Sequence, residues 1–250
     1  MSRPRTVAVI QARMTSRRLP GKVLLEVLGR PLLAHQIDRA RRAACIDAVM
    51  IATTTNPTDD PLAAVAQSTG VGCYRGSEAD VLGRMTETAD RAGAEVVVRL
   101  TGDCPLIDPA LLDEAATRLI ESDPPLDYVT NDPPRTWPIG LDVEVMRMAA
   151  LRTADAEAAG RYDREHVTPF LYTRPERFRF DSIRCPMNLS RHRWTLDEPA
   201  DFELIKRILE ALLPTKPDFG WRDVLAVVEA HPEWRMLNQS VQQTARPGID

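Results

Sequence analysis

The sequence predicts an α/β protein with a doubly wound, mostly parallel sheet and a smaller second lobe, and three observations carry that prediction. Thr6 to Ile10 is a run suited to a strand buried on both faces, and it leads straight into a polar loop, Gln11 to Lys22. Strand-like and helix-like segments then alternate as far as Glu121, a succession that winds helices over both faces of one sheet. Beyond Asp123 the texture changes, with Pro124, Pro125, Pro133, Pro134 and Pro138 interrupting a stretch that has no sustained helical period.

After the first strand and its loop, the apolar spacing predicts a helix over 31–44, a strand over 48–52, a helix over 59–68 and a short strand over 71–74. A helix over 78–92 follows, with Ser77 placed to cap it, Glu78 and Asp80 in its first turn and Arg84 completing helical charge pairs. Next come a strand over 95–100 and a helix over 109–121 that starts on Pro109 behind a capping Asp108. Past the prolines the pattern gives a strand over 141–146, a helix from about Met148, a strand-like 177–184 and an amphipathic helix over 199–213. The organisation expected is a core over 1–123, a lobe over 124–195, and C-terminal helices over 196–250 that complete the core. The tail from Gln239 is expected to fray.

With 250 residues, 44% hydrophobic and 27% charged, the chain can bury one substantial core or a core and a small lobe, which excludes a disordered segment or a peptide-sized scaffold. No apolar run approaches the ~20 residues of a membrane-spanning helix, and Met1 to Arg5 opens no signal peptide, so a soluble, cytoplasmic protein without a membrane partner is expected. Cys45, Cys73, Cys104 and Cys185 are widely spaced with no CxxC, which signals reduced, mostly buried thiols rather than disulfides or zinc. A net charge of −4 argues against a nucleic-acid partner. Its distribution is uneven, because residues 1–45 hold ten Lys and Arg against Glu26 and Asp38. A small anion is the partner expected for that segment.

The loop Gln11-Ala-Arg-Met-Thr-Ser-Arg-Arg-Leu-Pro-Gly-Lys22 leaves the carboxyl end of the first strand, where open α/β sheets bind ligands. It carries four cations and small residues that let its backbone approach a polyphosphate. Lys22 is one of only three lysines among 32 basic residues, which suggests a compact point charge at that place. The alternative is a solvated basic loop. No GxxxxGK[ST] and no GxGxxG follows the strand, so neither a P-loop ATPase nor a dinucleotide fold is indicated. The loop resembles the N-terminal signature of the cytidylyltransferases that activate acidic sugars, the CMP-3-deoxy-octulosonate and CMP-sialic acid synthetases. Their A-R-x-x-S-x-R-L-P-x-K pattern is met by Ala12, Arg13, Ser16, Arg18, Leu19, Pro20 and Lys22. The longer form beginning Ile10-Gln11 is most similar to the spore-coat polysaccharide protein F branch.

Val98-Arg-Leu-Thr-Gly-Asp-Cys-Pro-Leu-Ile-Asp108 sets Asp103 in a turn just beyond a buried strand, from which a carboxylate can reach a metal or simply cap the turn. Asp197, before Glu198-Pro199, reads on its own as a helix N-cap. The resemblance extends to both. The family's G-D-x-P-L-I turn matches Gly102, Asp103, Pro105, Leu106 and Ile107, and its D-x-P-x-D-[FL] element matches Asp197, Pro199, Asp201 and Phe202. It implies Asp103 and Asp197 as ligands of Mg²⁺, with Mn²⁺ as a substitute, and Asp201 as a first-turn helix residue.

The resemblance further implies a nucleotide-diphospho-sugar transferase-like fold and transfer of CMP from CTP to a small anionic acceptor, in which Arg13, Lys22, Asp103 and Asp197 are catalytic. Nucleotide contact is expected from Ala12, Arg13, Ser16, Arg18, Lys22, Arg75, Ser77, Thr101 and Gly102. Acceptor contact is expected from Asp142 and Glu144, on one face of a strand in Pro138-Ile-Gly-Leu-Asp-Val-Glu-Val-Met146, and from Arg164, Glu165 and His166 at a helix start. A lone histidine is more often structural. A homodimer is expected, with Phe170, Tyr172, Phe178 and Phe180 offered to its interface or to the monomer's own packing. The rivals are a sugar-1-phosphate nucleotidylyltransferase, whose G-x-G-x-R loop is absent, a glycosyltransferase, whose D-x-D motif is absent, and a non-catalytic nucleotide-binding protein.

Overall fold

Val7 and Val9 join one apolar cluster while Ala8 and Ile10 join another, so the first strand has no face for water. In the computed structural model this run is β1 (Thr6–Gln11), inside a seven-stranded sheet. The structure describes residues 3–242. After β1 and its loop come one 3-10 turn (Lys22–Leu24) and a two-stranded ribbon, β2 (Glu26–Val27) with β3 (Arg30–Pro31). The alternating part follows as α1 (Leu32–Ala40), β4 (Ala48–Thr54), α2 (Asp60–Thr69), β5 (Gly72–Gly76), α3 (Val81–Arg91), β6 (Val96–Thr101) and α4 (Pro109–Glu121). Strands β5, β4, β1 and β6 lie side by side and parallel, with Ile10 facing both Ile51 and Leu100.

Residues 124–195 add β7 (Tyr128–Thr130), β8 (Glu144–Arg147) and β9 (Phe180–Ser182) to the same sheet, in the order β6-β8-β7-β9. Strand β8 runs antiparallel to both β6 and β7, and β9 parallel to β7. The helices here are α5 (Met148–Glu157), α6 (Arg161–His166) and α7 (Pro169–Tyr172), and the chain continues through α8 (Pro199–Leu212), α9 (Trp221–Ala230) and α10 (Pro232–Arg235). Apolar residues of α1, α2, α4, α8 and α9 build the core on one face, and those of α3, α5 and α7 the core on the other. The sheet is therefore mostly parallel and flanked by helices, as predicted.

Several boundaries differ, each for a local reason. Helix α1 stops at Ala40 rather than 44 because the backbone N–H groups of Ala44 and Cys45 are taken by the Asp113 carboxylate of α4. Helix α3 starts at Val81, and its cap is Asp80, whose carboxylate accepts from Gly83 N–H at 2.9 Å; Ser77 instead accepts from Asp80 N–H. Arg84 makes no helical pair there but donates to the Ser77 carbonyl. The strand predicted over 141–146 begins only at Glu144, because the Asn131 side chain claims the Leu141 carbonyl and the Val143 N–H. The strand-like 177–184 is reduced to β9, since Phe178 N–H turns back onto Arg174. Asp108 caps α4 as predicted, bonding Ala110 and Leu111 N–H, and its second oxygen accepts from Trp221 N–H at 2.5 Å. The predicted fraying from Gln239 concerns a tail of which 243–250 lie outside the described residues; just before it, Asn238 is buried and bonded to Arg193 and Asp201. All four thiols are free, three buried and Cys73 half-buried.

Candidate active site

Backbone bonds fold the loop after β1 over the strand ends. Ala12 N–H reaches the Ala52 carbonyl, Gly21 N–H the Met14 carbonyl, and Met14 N–H the Asp59 carboxylate at 2.8 Å. Asp59 is buried and also accepts from Thr53 and Thr54. Burial alone would raise its pKa, but the donors from Thr54, Met14 and Thr53 hold it below the carboxylate range, so it pins the loop as an anion. On the other side the turn after β6 closes against this loop, with Gly102 N–H on the Gln11 carbonyl at 2.9 Å. A Cβ at 102 would stand 3.0 Å from Ala12 Cβ and 3.1 Å from the Gln11 carbonyl oxygen, so glycine is what lets the two loops touch.

That closure delivers the buried Lys22 to two carboxylates. Its ammonium lies 2.8 Å from Asp103 Oδ2 and 2.9 Å from Asp197 Oδ1. Burial alone would lower its pKa; the two aspartates outweigh that and hold it above the ordinary lysine value. Asp103 is brought to Asp197 by backbone, because its carbonyl accepts from Leu196 N–H at 2.8 Å and from the Thr195 hydroxyl at 3.1 Å. Gly140, at φ +103°, crosses the same segment so closely that a Cβ would fall 2.4 Å from the Trp194 carbonyl carbon. This crossing sets the segment bearing Asp142 against the one bearing Asp197.

Asp197 is not the helix cap. Glu198 holds that position, and Asp201 in the first turn accepts from the N–H groups of Asp197 and Glu198. The Asp197 side chain is thereby left to three cations: Lys22 on Oδ1, and Arg193 at 2.8 Å and Arg18 at 2.9 Å on Oδ2. Burial would raise its pKa, but Lys22, Arg18 and Arg193 bring it below the usual range. Arg193, buried and also paired with Asp201, was not singled out by the sequence, although it stands four residues before Asp197 in the motif.

The remaining predicted residues fall around this cluster. Arg13 is exposed, 3.6 Å from Glu78, and Glu78 also accepts from Thr15 and Asn56, latching the loop after β5 onto the loop after β1. Arg75 spans that latch by bonding Thr54, Asn56 and Asp60. Ser16 is half-buried within the first loop, and the Thr101 carbonyl accepts from Gln36. Arg164, Glu165 and His166 form the end of α6 rather than a helix start. Arg164 is bound by Asp80 and Asp155, Glu165 is exposed 3.9 Å from Arg161, and the exposed His166 ring lies 4.5 Å from Tyr162.

Asp142 and Glu144 do not share a strand face. Asp142 precedes β8 and pairs with Arg135 at 2.8 Å, while Glu144 is buried and bonded by Arg99, the Tyr128 hydroxyl at 2.7 Å and the Thr168 hydroxyl at 2.5 Å. Phe170 and Phe178 pack edge to face within the chain's own core, which removes them from an interface; Phe180 is 37% exposed. Among the described residues no group of three or more His, Cys, Asp or Glu is arranged to hold a metal, and none of the helices is long and apolar enough to cross a membrane.

A mostly parallel sheet flanked by helices, with a cationic loop after β1 and Asp103 and Asp197 joined by its Lys22, defines an α/β nucleotidyltransferase-like protein. Residues 7–218 match the family described as cytidylyltransferase, and the chain belongs to that family. It is 31% identical over 232 residues to the spore coat polysaccharide biosynthesis protein SpsF of Bacillus subtilis, covering 90% of this chain and 94% of that one. With the 3-deoxy-manno-octulosonate cytidylyltransferase of Geobacter sulfurreducens the match is 38% over 117 residues, about half of either chain. A cytidylyltransferase from Leptospira borgpetersenii superposes with a TM-score of 0.88 at 29% identity, covering 97% of this chain and 100% of that one. A CMP-2-keto-3-deoxy-manno-octonic acid synthetase solved with CTP shares the fold at a TM-score of 0.61 and 19% identity, over 83% of this chain and 99% of that one.

Proposed function

We propose that this protein transfers CMP from CTP to an oxygen of a small anionic acceptor, with an acidic sugar as first choice, in surface polysaccharide or specialised metabolite synthesis in the cytoplasm. The observation that carries the reading is the Lys22, Asp103 and Asp197 cluster beneath a cationic loop, in a chain of the cytidylyltransferase family. The acceptor oxygen attacks the α-phosphorus and loses its proton, while the bond from that phosphorus to the pyrophosphate oxygen breaks. Such chemistry asks the protein mainly for positioning and charge neutralisation. Arg13, Arg18 and Lys22 hold the triphosphate, backed by the tight turn of Ala12, Ser16, Thr101 and Gly102. Arg75 and Ser77 border the base, and Asp142, Arg164, Glu165 and His166 face the acceptor, with Glu144 acting from below through its fixed partners.

The donor set fits magnesium, which commonly takes one or two protein carboxylates and completes its shell with substrate phosphates and water, and manganese accepts the same ligands. Asp103 and Asp197 would hold it, and the ion would supply charge neutralisation at the phosphate oxygens. A homodimer is proposed as well, with the exposed Phe180 on β9 at its interface; light scattering that returns a single 27.9 kDa mass at micromolar concentration overturns it. The deciding assay is pyrophosphate release from CTP, against ATP, GTP and UTP, with a panel of 3-deoxy-octulosonate, sialic acid, and phosphorylated and phosphonate acids. Turnover with CTP and one acid class is expected. A nucleotide other than CTP preferred tenfold or more overturns the reading.

A further inference from the structure

We infer that Lys22 is an exchangeable internal counter-ion: in the free protein its ammonium occupies the space between Asp103 and Asp197, and a divalent cation enters only when an incoming triphosphate draws that ammonium away. The inference rests on the triphosphate reading above and adds an order to it. One nitrogen lies within 2.9 Å of an oxygen on each carboxylate, so it satisfies both groups that a metal ion would need.

The two oxygens of Asp197 divide their work. Oδ2 is shared by Arg18 of the loop and Arg193, and Arg193 is itself fixed by the buried Asp201 and, through its carbonyl, by Asn238. That partner has no freedom to leave. Oδ1 belongs to Lys22, a compact charge on a flexible four-carbon stem rooted at the end of the loop that carries Arg13 and Arg18. A phosphate over that loop offers the ammonium an alternative anion.

The charge balance points the same way. Asp103, Asp197, Asp201 and the half-exposed Glu198 face Lys22, Arg18 and Arg193, four negative charges against three positive. While Lys22 stays in place, a divalent ion would turn this half-buried cluster from one excess negative charge to one excess positive charge, whereas the same ion arriving with a triphosphate brings its own compensation. Metal affinity is then linked to nucleotide rather than built into the free chain.

The test is Mn²⁺ titration of the nucleotide-free protein followed by electron paramagnetic resonance. The wild-type chain is expected to leave the ion free, while Lys22→Met and Lys22→Gln bind it at least about tenfold more tightly. Adding Asp103→Asn to either should remove that binding. Wild-type affinity equal to that of the variants overturns the inference, as do variants that fold but gain no Mn²⁺. A chain that folds with neither substitution also overturns it, since an exchangeable counter-ion cannot be essential to the fold. Calorimetry with CTP alone reads the other hypothesis: a chain that never binds CTP sinks the nucleotidyl-transfer reading, while the Mn²⁺ gain in the variants still stands or falls by itself.

Discussion

Two clusters of buried charge lie near the ends of the central strands, and they are completed in opposite ways. Glu144 and Arg99 face each other across β8 and β6, and the remaining bonds come from Tyr128 on β7, Thr168 before α7, and Gln11 at the end of β1, all set by regular structure. Asp103 and Asp197 instead receive Lys22 and Arg18 from a loop. A charge pair closed by strand residues has no spare valence and acts through shape. One closed by loop cations can be reopened by a ligand, and that difference separates scaffold from chemistry in a chain where both clusters are ionic, the first buried and the second half-buried.

The comparison is broken most severely at the loop-closed cluster. Asp103→Asn is expected to lower CTP turnover on the order of a hundredfold to a thousandfold in a pyrophosphate-release assay while the chain stays folded. Asp197→Asn should lose turnover comparably and also cost about 1–3 kcal/mol in urea unfolding, because its carboxylate anchors three cations rather than a helix end. Wild-type turnover in either variant would remove that aspartate from the chemistry.

At the strand-closed cluster the expected effect is on stability. Glu144→Ala leaves Arg99 buried without its partner and should cost about 3–5 kcal/mol in urea unfolding. A smaller loss than that of Asp197→Asn would invert the contrast. Lys22→Ala and Arg18→Ala should each weaken CTP binding by about 1–3 kcal/mol in calorimetry.

Acid and alkali sharpen the same distinction. The Asp197 pKa is depressed on folding, so its contribution is present above its unfolded value of about 3.9 and is lost as pH falls through the folded one. The Lys22 pKa is raised, so its contribution is full below about 10.4 and is lost as pH rises through the folded value. Thermal melts should therefore fall off at both ends, with Asp197→Asn softening the acid limb and Lys22→Met the alkaline one. The smallest effect is at α3: Asp80→Ala should cost about 0.5–2 kcal/mol by removing the cap together with a half-exposed partner of Arg164, and Ser77→Ala less than about 0.5 kcal/mol.

The parallel half was legible because Val7 to Ile10 and Val96 to Val98 are continuous apolar runs buried on both faces. Lys22, Asp103 and Asp197, which the structure brings together, were picked out because each lies in a short motif that resembles the family's. Residues set by long-range partners with no motif to mark them were not. Asp59 reads as the start of α2, and nothing local says that it holds Met14, 45 residues away. The side chain of Asn131 cuts the predicted strand at Leu141 by a contact no period reveals. At Asp197 two adjacent acids, with a third at Asp201, compete for one cap, and only the fold decides that Glu198 takes it.

The second bond of Asp108 has a consequence for the order in which the chain is made. Asp108 caps α4, yet one of its oxygens waits for Trp221 N–H, and Arg39, buried under the same region, waits for the Phe219 carbonyl and ring. All four parallel strands have been synthesised by residue 101. A nascent chain arrested before Phe219 therefore leaves Arg39 with only the Ile107 and Leu106 carbonyls and Asp108 with only its cap bonds, each one partner short, a cost the early half bears alone. The last helices act as a closing stitch, and the core begun by β1 is finished only when synthesis has passed Trp221.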